Sequence, residues 1–424
     1  MKHVLLITYY FPPYTGIEGN RLNSWASALR KSGFRVTVIS RQWKKGAQSN
    51  WEDYYREHSE TDAHEEPLDE GLTVIRLPYR WSPAFRRFRG RFGGLYYWTN
   101  KVVGVLHPET NADYAFREYA MQFIRRERPE FLVVSSPPLN IIRLGHFLKS
   151  AFPSMKFIAD FRDSYNNDLI QERPRLRLKE KVEAFLFRTH LRRWLRNADG
   201  VVSVSTPILE TIRKRFHCPT LIVRNGFEED LFRDVPLHPN GNQFTLSMVG
   251  SLYPRQDIGF MCRAIDLFIR QAGDPNIKVQ FIGIRGRKNI VNEIRKHIDD
   301  RFLHFTDRIE RQKALEIMKN SHILLQVGWR GYRGLCPGKV FEYLGAGRNI
   351  LVAPADGDLT DRVIGETGAG FSAPTIENAA GFLLSKYREW KEHGVLSYSG
   401  NPSAISRYTR ESQNRKLEEF LRGM

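Results

Sequence analysis

The sequence is 424 residues long, which is enough for two or three domains with large cores. Hydrophobic residues make up 41% and charged residues 26%, and no apolar run approaches the roughly 20 residues that span a bilayer. The apolar start is too short for a secretory signal and ends at Pro12, so we expect a cytoplasmic protein. The net charge of +18 favours an anionic partner: nucleic acid, a lipid surface or a phosphorylated substrate.

The cysteines are Cys218, Cys262 and Cys336, far apart in the sequence and without the spacing of a metal site. They predict neither a disulfide framework nor a zinc site. We identify no Asp-x-Asp metal motif either, and we expect no metal and no cofactor.

The chain opens with a βαβ unit. A compact apolar strand, 4–9, is followed by a loop with Gly16 and Gly19, a helix that Gly33 ends, and a second strand at 35–40. Such a unit predicts a doubly wound parallel sheet. The G-x-G-x-x-G spacing of the dinucleotide fingerprint is absent.

Two long segments follow before the next clear helix. Residues 41–72 are polar and partly acidic and predict a long excursion or loop, after which 72–77 predicts a strand. In residues 80–106, arginines are interleaved with aromatic residues and no acid interrupts them. That pattern favours an anionic membrane or lipid-acceptor surface; an ordinary core with solvated arginines and nucleic-acid binding are the alternatives.

Polar residues follow two predicted strands, 131–136 and 156–160, where ligands bind in open α/β sheets. The second strand delivers Asp160, Arg162 and Asp163 to this edge. These side chains could orient a sugar hydroxyl or a base, or Asp160 could cap the next segment and pair with Arg162 structurally. A basic helix is predicted over 176–197 and a last strand over 200–205.

A polar segment, 237–242, is the predicted linker to a second α/β series. Its strands are predicted at 245–251, 279–283 and 322–327, and Arg255 follows the glycine turn after the first of them.

The stretch 331–347 predicts a glycine-rich loop, a helix that starts at Pro337 and a glycine stop at Gly347. The helix start offers unpaired N–H groups and a positive dipole end, and Lys339 adds a charge beside it. Glu342 lies on the same helix face, where a carboxylate can accept hydrogen bonds from a ribose diol. The stretch therefore suits a nucleoside diphosphate; the alternative is a solvated Lys339–Glu342 pair.

The run Pro-Gly-Lys-Val-Phe-Glu-Tyr-Leu-Gly-Ala-Gly at 337–347 resembles the donor-binding signature of the GT-B glycosyltransferases, specifically the retaining glycosyltransferase family 4. The resemblance implies an α/β fold of two Rossmann-like doubly wound domains facing across a cleft. It implies an acceptor-binding domain over 1–236, a domain over 243–401 that binds the nucleotide sugar, and a helix over 402–424 that packs back on the first domain.

In that family the position of Glu342 holds the donor ribose, and the helix start at Pro337, Gly338 and Lys339 lies near the diphosphate. Many members carry a second glutamate eight positions earlier, where this chain has Gly334. Contacts to the donor sugar are therefore left open.

The resemblance assigns further roles. It implies that Gly16 and Arg21 approach the donor phosphates and the acceptor, that Arg255 contacts the diphosphate, and that the backbone at Arg308 and Ile309 frames the base. Asp163 belongs to an Asp-x-Arg-Asp segment similar to one that recurs in the family, and we expect it to act with Arg255 and Lys339 in catalysis.

The implied reaction moves a sugar from a nucleoside diphosphate to an acceptor hydroxyl with retention and without a metal. A lipid-linked or glycan acceptor, as in capsule, lipopolysaccharide or exopolysaccharide assembly, would fit a cytoplasmic enzyme peripheral on the membrane. Alternatives are a sugar-nucleotide epimerase or hydrolase on the same fold, a basic nucleic-acid binder, and a non-catalytic scaffold. No helix-turn-helix, RNP or zinc pattern supports nucleic-acid binding, so no nucleic-acid partner is expected.

Overall fold

The computed structural model describes residues 1–14, 17–43, 62–78, 91, 95, 113–162, 178–237 and 242–424. Contacts divide the chain into two compact units. The first holds the described residues up to Arg224 together with Gln413–Met424, and the second holds Asn225–Ser412. Gly16, Asp163 and the segment 80–106, apart from Arg91 and Leu95, lie outside the described residues.

The first unit is built on a sheet of eight strands in the order β3-β4-β2-β1-β5-β6-β7-β8. The β3–β4 pair is antiparallel and the others are parallel. The strands are β1 His3–Thr8, β2 Arg35–Arg41, β3 His64–Asp69, β4 Leu72–Leu77, β5 Phe131–Ser136, β6 Lys156–Phe161, β7 Gly200–Ser203 and β8 Thr220–Ile222. The helices are α1 Ile17–Lys31, α2 Asp113–Glu127, α3 Ile141–Ala151, α4 Leu178–Trp194 and α5 Thr206–Arg213.

Both faces of this sheet are covered, as a parallel sheet requires. Successive residues of β1 point to opposite faces, so Val4 packs with Trp25 of α1 on one face, and Leu5 packs with Phe116 of α2 on the other. Leu421, near the C-terminus, joins the cluster of Val4 and Trp25 and is fully buried.

The second unit is built on six parallel strands in the order β11-β10-β9-β12-β13-β14. The strands are β9 Phe244–Val249, β10 Ile277–Ile282, β11 Leu303–Thr306, β12 Ile323–Gln326, β13 Asn349–Val352 and β14 Gly370–Ser372. The helices are α6 Asp230–Arg233, α7 Ile258–Ala272, α8 Lys288–Arg295, α9 Arg311–Lys319, α10 Gly338–Ala346, α11 Leu359–Thr367, α12 Ile376–His393, α13 Pro402–Ser406 and α14 Arg410–Arg422, the last continuing into the first unit; Asp300–Phe302 is a 3-10 turn. The predicted α/β class is confirmed.

Two features differ from the predicted layout. Residues 64–69, predicted as part of an excursion, form β3, an exposed edge strand that carries no apolar alternation because it has no buried face. The two units divide after Arg224, ahead of the predicted linker, because Phe227 and Phe232 pack into the core of the second unit beside Leu344. In the part of the chain that the structure describes, no helix is long and apolar enough to cross a bilayer.

The buried position of Leu421 generates the first prediction. We expect Leu421→Ala to lower the free energy of unfolding of the first unit by about 2–5 kcal/mol, because a fully buried leucine is replaced by a cavity. Urea denaturation followed by circular dichroism measures the change. Glu419→Ala, an exposed change on the same helix, should stay within about 0.5 kcal/mol of wild type. Equal stability of both variants would contradict the packing of this helix.

Candidate functional site

The site begins at α10, whose ends follow from the local sequence. Pro337 is the residue before the helix, with φ −58° and ψ 141°, and Gly338 is the first helical residue. The prediction that Pro337 itself opens the helix was therefore off by one residue, because its ψ is extended. The predicted stop is confirmed: Gly347 has φ 63°, in the left-handed region that favours glycine.

Tyr343 fixes α10 to the sheet. Its buried hydroxyl accepts the N–H of Val249 at 2.9 Å, and the carbonyl oxygen of Leu325 lies 3.3 Å away, within reach of its proton. These two partners stand at or beside the carboxyl ends of neighbouring strands β9 and β12. Helix α10 is thereby held with its N-terminal turn at the edge of the sheet where ligands bind in open α/β folds.

Two glycines leave space in front of that edge. Gly250 and Gly283 directly follow the paired strands β9 and β10 and have φ values of 93° and 95°. A Cβ at Gly250 would lie 3.8 Å from Nζ of Lys339. Beside Lys339, the residues that follow both strands therefore have no side chain. A ligand can approach the backbone closely at such a place.

Lys339 lies in the first turn of α10 and points along this edge. Its Nζ donates to the carbonyl oxygen of Ser251 at 2.7 Å. Burial lowers the pKa of Lys339 to about 7; Glu342 acts in the opposite direction and Arg287 adds to the lowering. A buried ammonium with so low a pKa gains strongly from a nearby anion, because the anion favours the charged form.

Arg287 is a cation that the sequence reasoning missed. Its Nη1 donates to the carbonyl oxygen of Leu252 at 2.8 Å, and its Nη2 lies 3.5 Å from Oγ of Ser251. It therefore stands over the same turn that holds Lys339. The available signal was the run Arg285-Gly286-Arg287-Lys288, which begins two residues after Gly283. Arg255, the cation predicted for this place, lies in the following turn and is exposed.

Glu342 lies one helical turn after Lys339 and is half-buried. Its Oε1 is 3.7 Å from Nη2 of Arg311, which also lies 3.6 Å from Oε1 of Glu228. Arg410 reaches Glu228 at 3.1 Å. Burial raises the pKa of Glu342, while Arg311 and Arg410 act in the opposite direction. Among the residues that the structure describes, the nearest cation to this carboxylate is Arg311, at a distance longer than a hydrogen bond.

A carboxylate stands beside Gly334, the position of the missing glutamate. The N–H of Gly334, whose φ is 67°, donates to Oδ2 of Asp358. Asp358 also lies 3.7 Å from Arg362 on α11. The chain thus supplies an acid to this loop from α11.

Asp356 and Asp358 have an Asp-x-Asp spacing, so the statement that the sequence offers no such motif was wrong. Asp356 accepts the N–H groups of Asp358 at 2.9 Å and Thr360 at 3.2 Å, so it serves the start of α11. Burial raises its pKa. Within the described ranges, no group of three His, Cys, Asp or Glu side chains could hold a metal ion.

The other predicted donor residues lie at neighbouring strand ends. Arg308 and Ile309 follow β11, which pairs with β10; Arg308 is exposed, and Ile309 packs against the core cluster of α10. Gly16 and Asp163 are outside the described residues, so their predicted roles stay predictions.

In the first unit, Asp160 does not pair with Arg162. Its carboxylate lies 3.3 Å from Nη2 of Arg21 and accepts from Oγ of Ser135 at 2.7 Å. Arg21, proposed to approach phosphates, is instead buried in this ion pair, and its Nη1 donates to the carbonyl oxygen of Arg224. The buried Nε of Arg162 has no hydrogen-bond partner in the described part of the chain.

Comparisons with known proteins show a related domain family and structures of similar fold. Residues 18–226 match the family model described as a glycosyl transferase 4-like domain. Sucrose-phosphate synthase from Thermosynechococcus elongatus is similar over 100% of this chain and 99% of its own, with 12% identity and a TM-score of 0.63. Anabaena HepE in complex with UDP is similar over 100% of both chains, with 12% identity and a TM-score of 0.62. Trehalose-6-phosphate from E. coli, bound with UDP-2-fluoro glucose, has 10% identity over 100% and 99% of the two chains and a TM-score of 0.63. Comparison with curated protein sequences found no match.

The two parallel sheets and the full-length structural likeness define the GT-B fold. Residues 18–226 carry a glycosyl transferase 4-like domain. The predicted resemblance to the GT-B glycosyltransferases of family 4 is confirmed by the domain match over 18–226 and by the fold.

The anchoring role of Tyr343 generates the second prediction. Tyr343→Phe should destabilise the second unit by about 1–3 kcal/mol, because the N–H of Val249 loses its buried acceptor. Urea denaturation followed by fluorescence measures the change. Tyr253→Phe, at a side chain that is 49% exposed, is the matched control and should leave stability unchanged. A silent Tyr343→Phe variant would show that the hydroxyl does not hold the helix.

Proposed function

We propose that the second unit binds a nucleoside-diphosphate sugar and that the protein transfers its sugar to an acceptor hydroxyl with retention of anomeric configuration. The observation that carries the proposal is the placement of Lys339 and Glu342 on one face of α10, beside the bare strand ends at Gly250 and Gly283. The UDP and UDP-sugar complexes of the similar structures support a nucleotide donor.

The diphosphate belongs, in this proposal, against the start of α10. Pro337 and Gly338 present the helix N-terminus, and Lys339 and Arg287 add charge beside it. Arg255 is a further proposed cation. As the bond to the sugar breaks, the leaving diphosphate gains negative charge, and preorganised cations stabilise that charge where it develops.

The nucleoside end of the donor belongs further along the same helix. Glu342 accepts hydrogen bonds from the ribose hydroxyls, and Arg311 keeps its carboxylate oriented. The backbone at Arg308 and Ile309 frames the base. Asp358, beside Gly334, is the proposed acceptor for a hydroxyl of the donor sugar.

The first unit binds the acceptor, with Gly16 and Asp163 as proposed site residues. The acceptor class that we propose is a lipid-linked or other glycan intermediate of surface-polysaccharide assembly, such as capsule or lipopolysaccharide. The basic aromatic segment 80–106 supports a cytoplasmic protein peripheral on an anionic membrane surface.

The transfer breaks the bond between the anomeric carbon and the diphosphate oxygen and forms a bond from the acceptor oxygen to that carbon on the same face. The proton of the acceptor hydroxyl passes to the leaving diphosphate. We propose that the reaction is metal-independent, with the charge borne by Lys339, Arg287 and Arg255.

The third prediction tests the donor site. Calorimetry with UDP, GDP, ADP and their common sugar conjugates should reveal one preferred nucleotide. Glu342→Ala should weaken binding of that nucleotide by about 1.5–3 kcal/mol, because a charged hydrogen-bond partner of the ribose is lost. Glu377→Ala, an exposed acid on α12, is the control and should bind as wild type does. Absence of binding to every nucleotide would refute a donor site in this unit.

The fourth prediction concerns pH. Lys339, with its pKa lowered to about 7, loses its proton above that pH, whereas a bound diphosphate favours the ammonium. Binding must then take up a proton, and affinity should fall by up to about tenfold per pH unit above 7. Calorimetry between pH 6.5 and 8.5 measures the affinity. The ligand is a sugar nucleotide, because the charge of its diphosphate diester does not change over this range. In Lys339→Met, affinity should be lower and flat over this range. A flat wild-type profile would contradict the proposed contact with Lys339.

A further inference from the structure

Helix α4, Leu178–Trp194, exposes large apolar side chains to solvent. Leu178 is 79% exposed, Val182 is 40% exposed and Phe185 is 66% exposed. Their spacing of four and then three residues places them on one side of the helix. We call these three residues the exposed stripe.

The exposed stripe is not the side by which α4 packs on the first unit. Ala184, Leu191 and Trp194 are at most 2% exposed, and the last two join the core cluster of Leu5 and Phe157. At 100° per residue these buried positions lie on the side of the helix opposite the exposed stripe. The helix is therefore anchored by one face and presents a second apolar face outward.

Cations border the exposed stripe on both sides. At 100° per residue, Arg192 and Lys181 fall about 40° and 60° to one side of Leu178, and Arg193 falls about 60° to the other. All three are exposed. The helix sequence holds five Lys and Arg against two Glu, within a chain of net charge +18.

We propose that α4 is an interfacial helix that docks the first unit onto a membrane surface containing anionic lipid. An apolar stripe between rows of cations fits such a surface, because the apolar side chains enter the headgroup boundary while the cations stay among the phosphates. A protein partner would have to match the three flanking cations as well as the exposed stripe, whereas a membrane with anionic lipid offers both an apolar boundary and negative charge. The inference deepens the membrane association proposed above, on which it rests, by adding a surface distinct from segment 80–106, and it does not depend on the donor site.

Vesicle flotation tests the proposal on the full-length protein. Wild type should float with vesicles of phosphatidylcholine and phosphatidylglycerol at low salt, and far less with phosphatidylcholine alone. The variant Leu178→Ser/Val182→Ser/Phe185→Ser should lose about tenfold or more of its partition coefficient. Its matched control, Leu68→Ser/Leu237→Ser/Val395→Ser, removes three exposed apolar side chains from elsewhere and should float as wild type does.

The cations are tested separately. Lys181→Glu/Arg192→Glu should lower the partition coefficient by about fivefold or more for each charge, and added salt should release the wild type. Arg388→Glu, at an exposed arginine of α12, should have little effect.

Several outcomes would overturn the proposal. Wild type could stay in the soluble fraction with anionic vesicles, or the stripe variant could float as well as wild type, so that another surface carries the binding. A fall of several degrees in the melting temperature of the stripe variant would show that these residues are packed within the fold.

A dimer that the stripe variant abolishes, without flotation of wild type, would assign the surface to a second copy. Nucleotide binding should be unchanged in the stripe variant, so failure of membrane docking is distinguishable from failure of the donor site.

Discussion

The bond from the N–H of Val249 to the hydroxyl of Tyr343 is the contact on which the site depends. It ties a helix to the end of a strand at a buried position, where an unmade hydrogen bond is costly. Because the helix cannot slide along the sheet edge, its first turn stays beside the glycine turn that follows β9. Lys339 then has a carbonyl oxygen to hold it, at Ser251, while its charge faces the bare strand ends.

This placement explains why the charges are arranged as they are. Burial lowers the pKa of Lys339 and Arg287 lowers it further, so the charged form of Lys339 is disfavoured at this position. Glu342 opposes the effect from the next helical turn. A bound diphosphate would give both cations a counter-charge and would favour the charged form of Lys339. The lowered pKa of Lys339 thus couples its protonation to the binding of an anion beside it.

Features of the site that depend on residues close together in the sequence could be predicted from the sequence. Features that depend on contacts between distant parts of the chain could not. The helix at 338–346 and its stop at Gly347 are set by residues within one stretch, and pattern reasoning found both to within a residue. The ion pair of Arg21 with Asp160 joins positions 139 residues apart. The sequence alone could therefore not decide whether Asp160 caps the next segment or forms an ion pair. Arg287 was passed over for the same reason: its relevance comes from the carbonyl oxygen of Leu252, 35 residues earlier.

The match of residues 18–226 to a glycosyl transferase 4-like domain and the signature at 337–347 fall in different units. The two observations are therefore independent: one identifies the first half of the chain, and the other rests on local chemistry in the second. The departure at Gly334 fits this picture without weakening it. A glycine with a left-handed φ lets the loop bring its N–H to the carboxylate of Asp358. An acid at the start of α11 therefore stands beside the position where the resemblance would place a glutamate, which is why we propose it as a contact to the donor sugar.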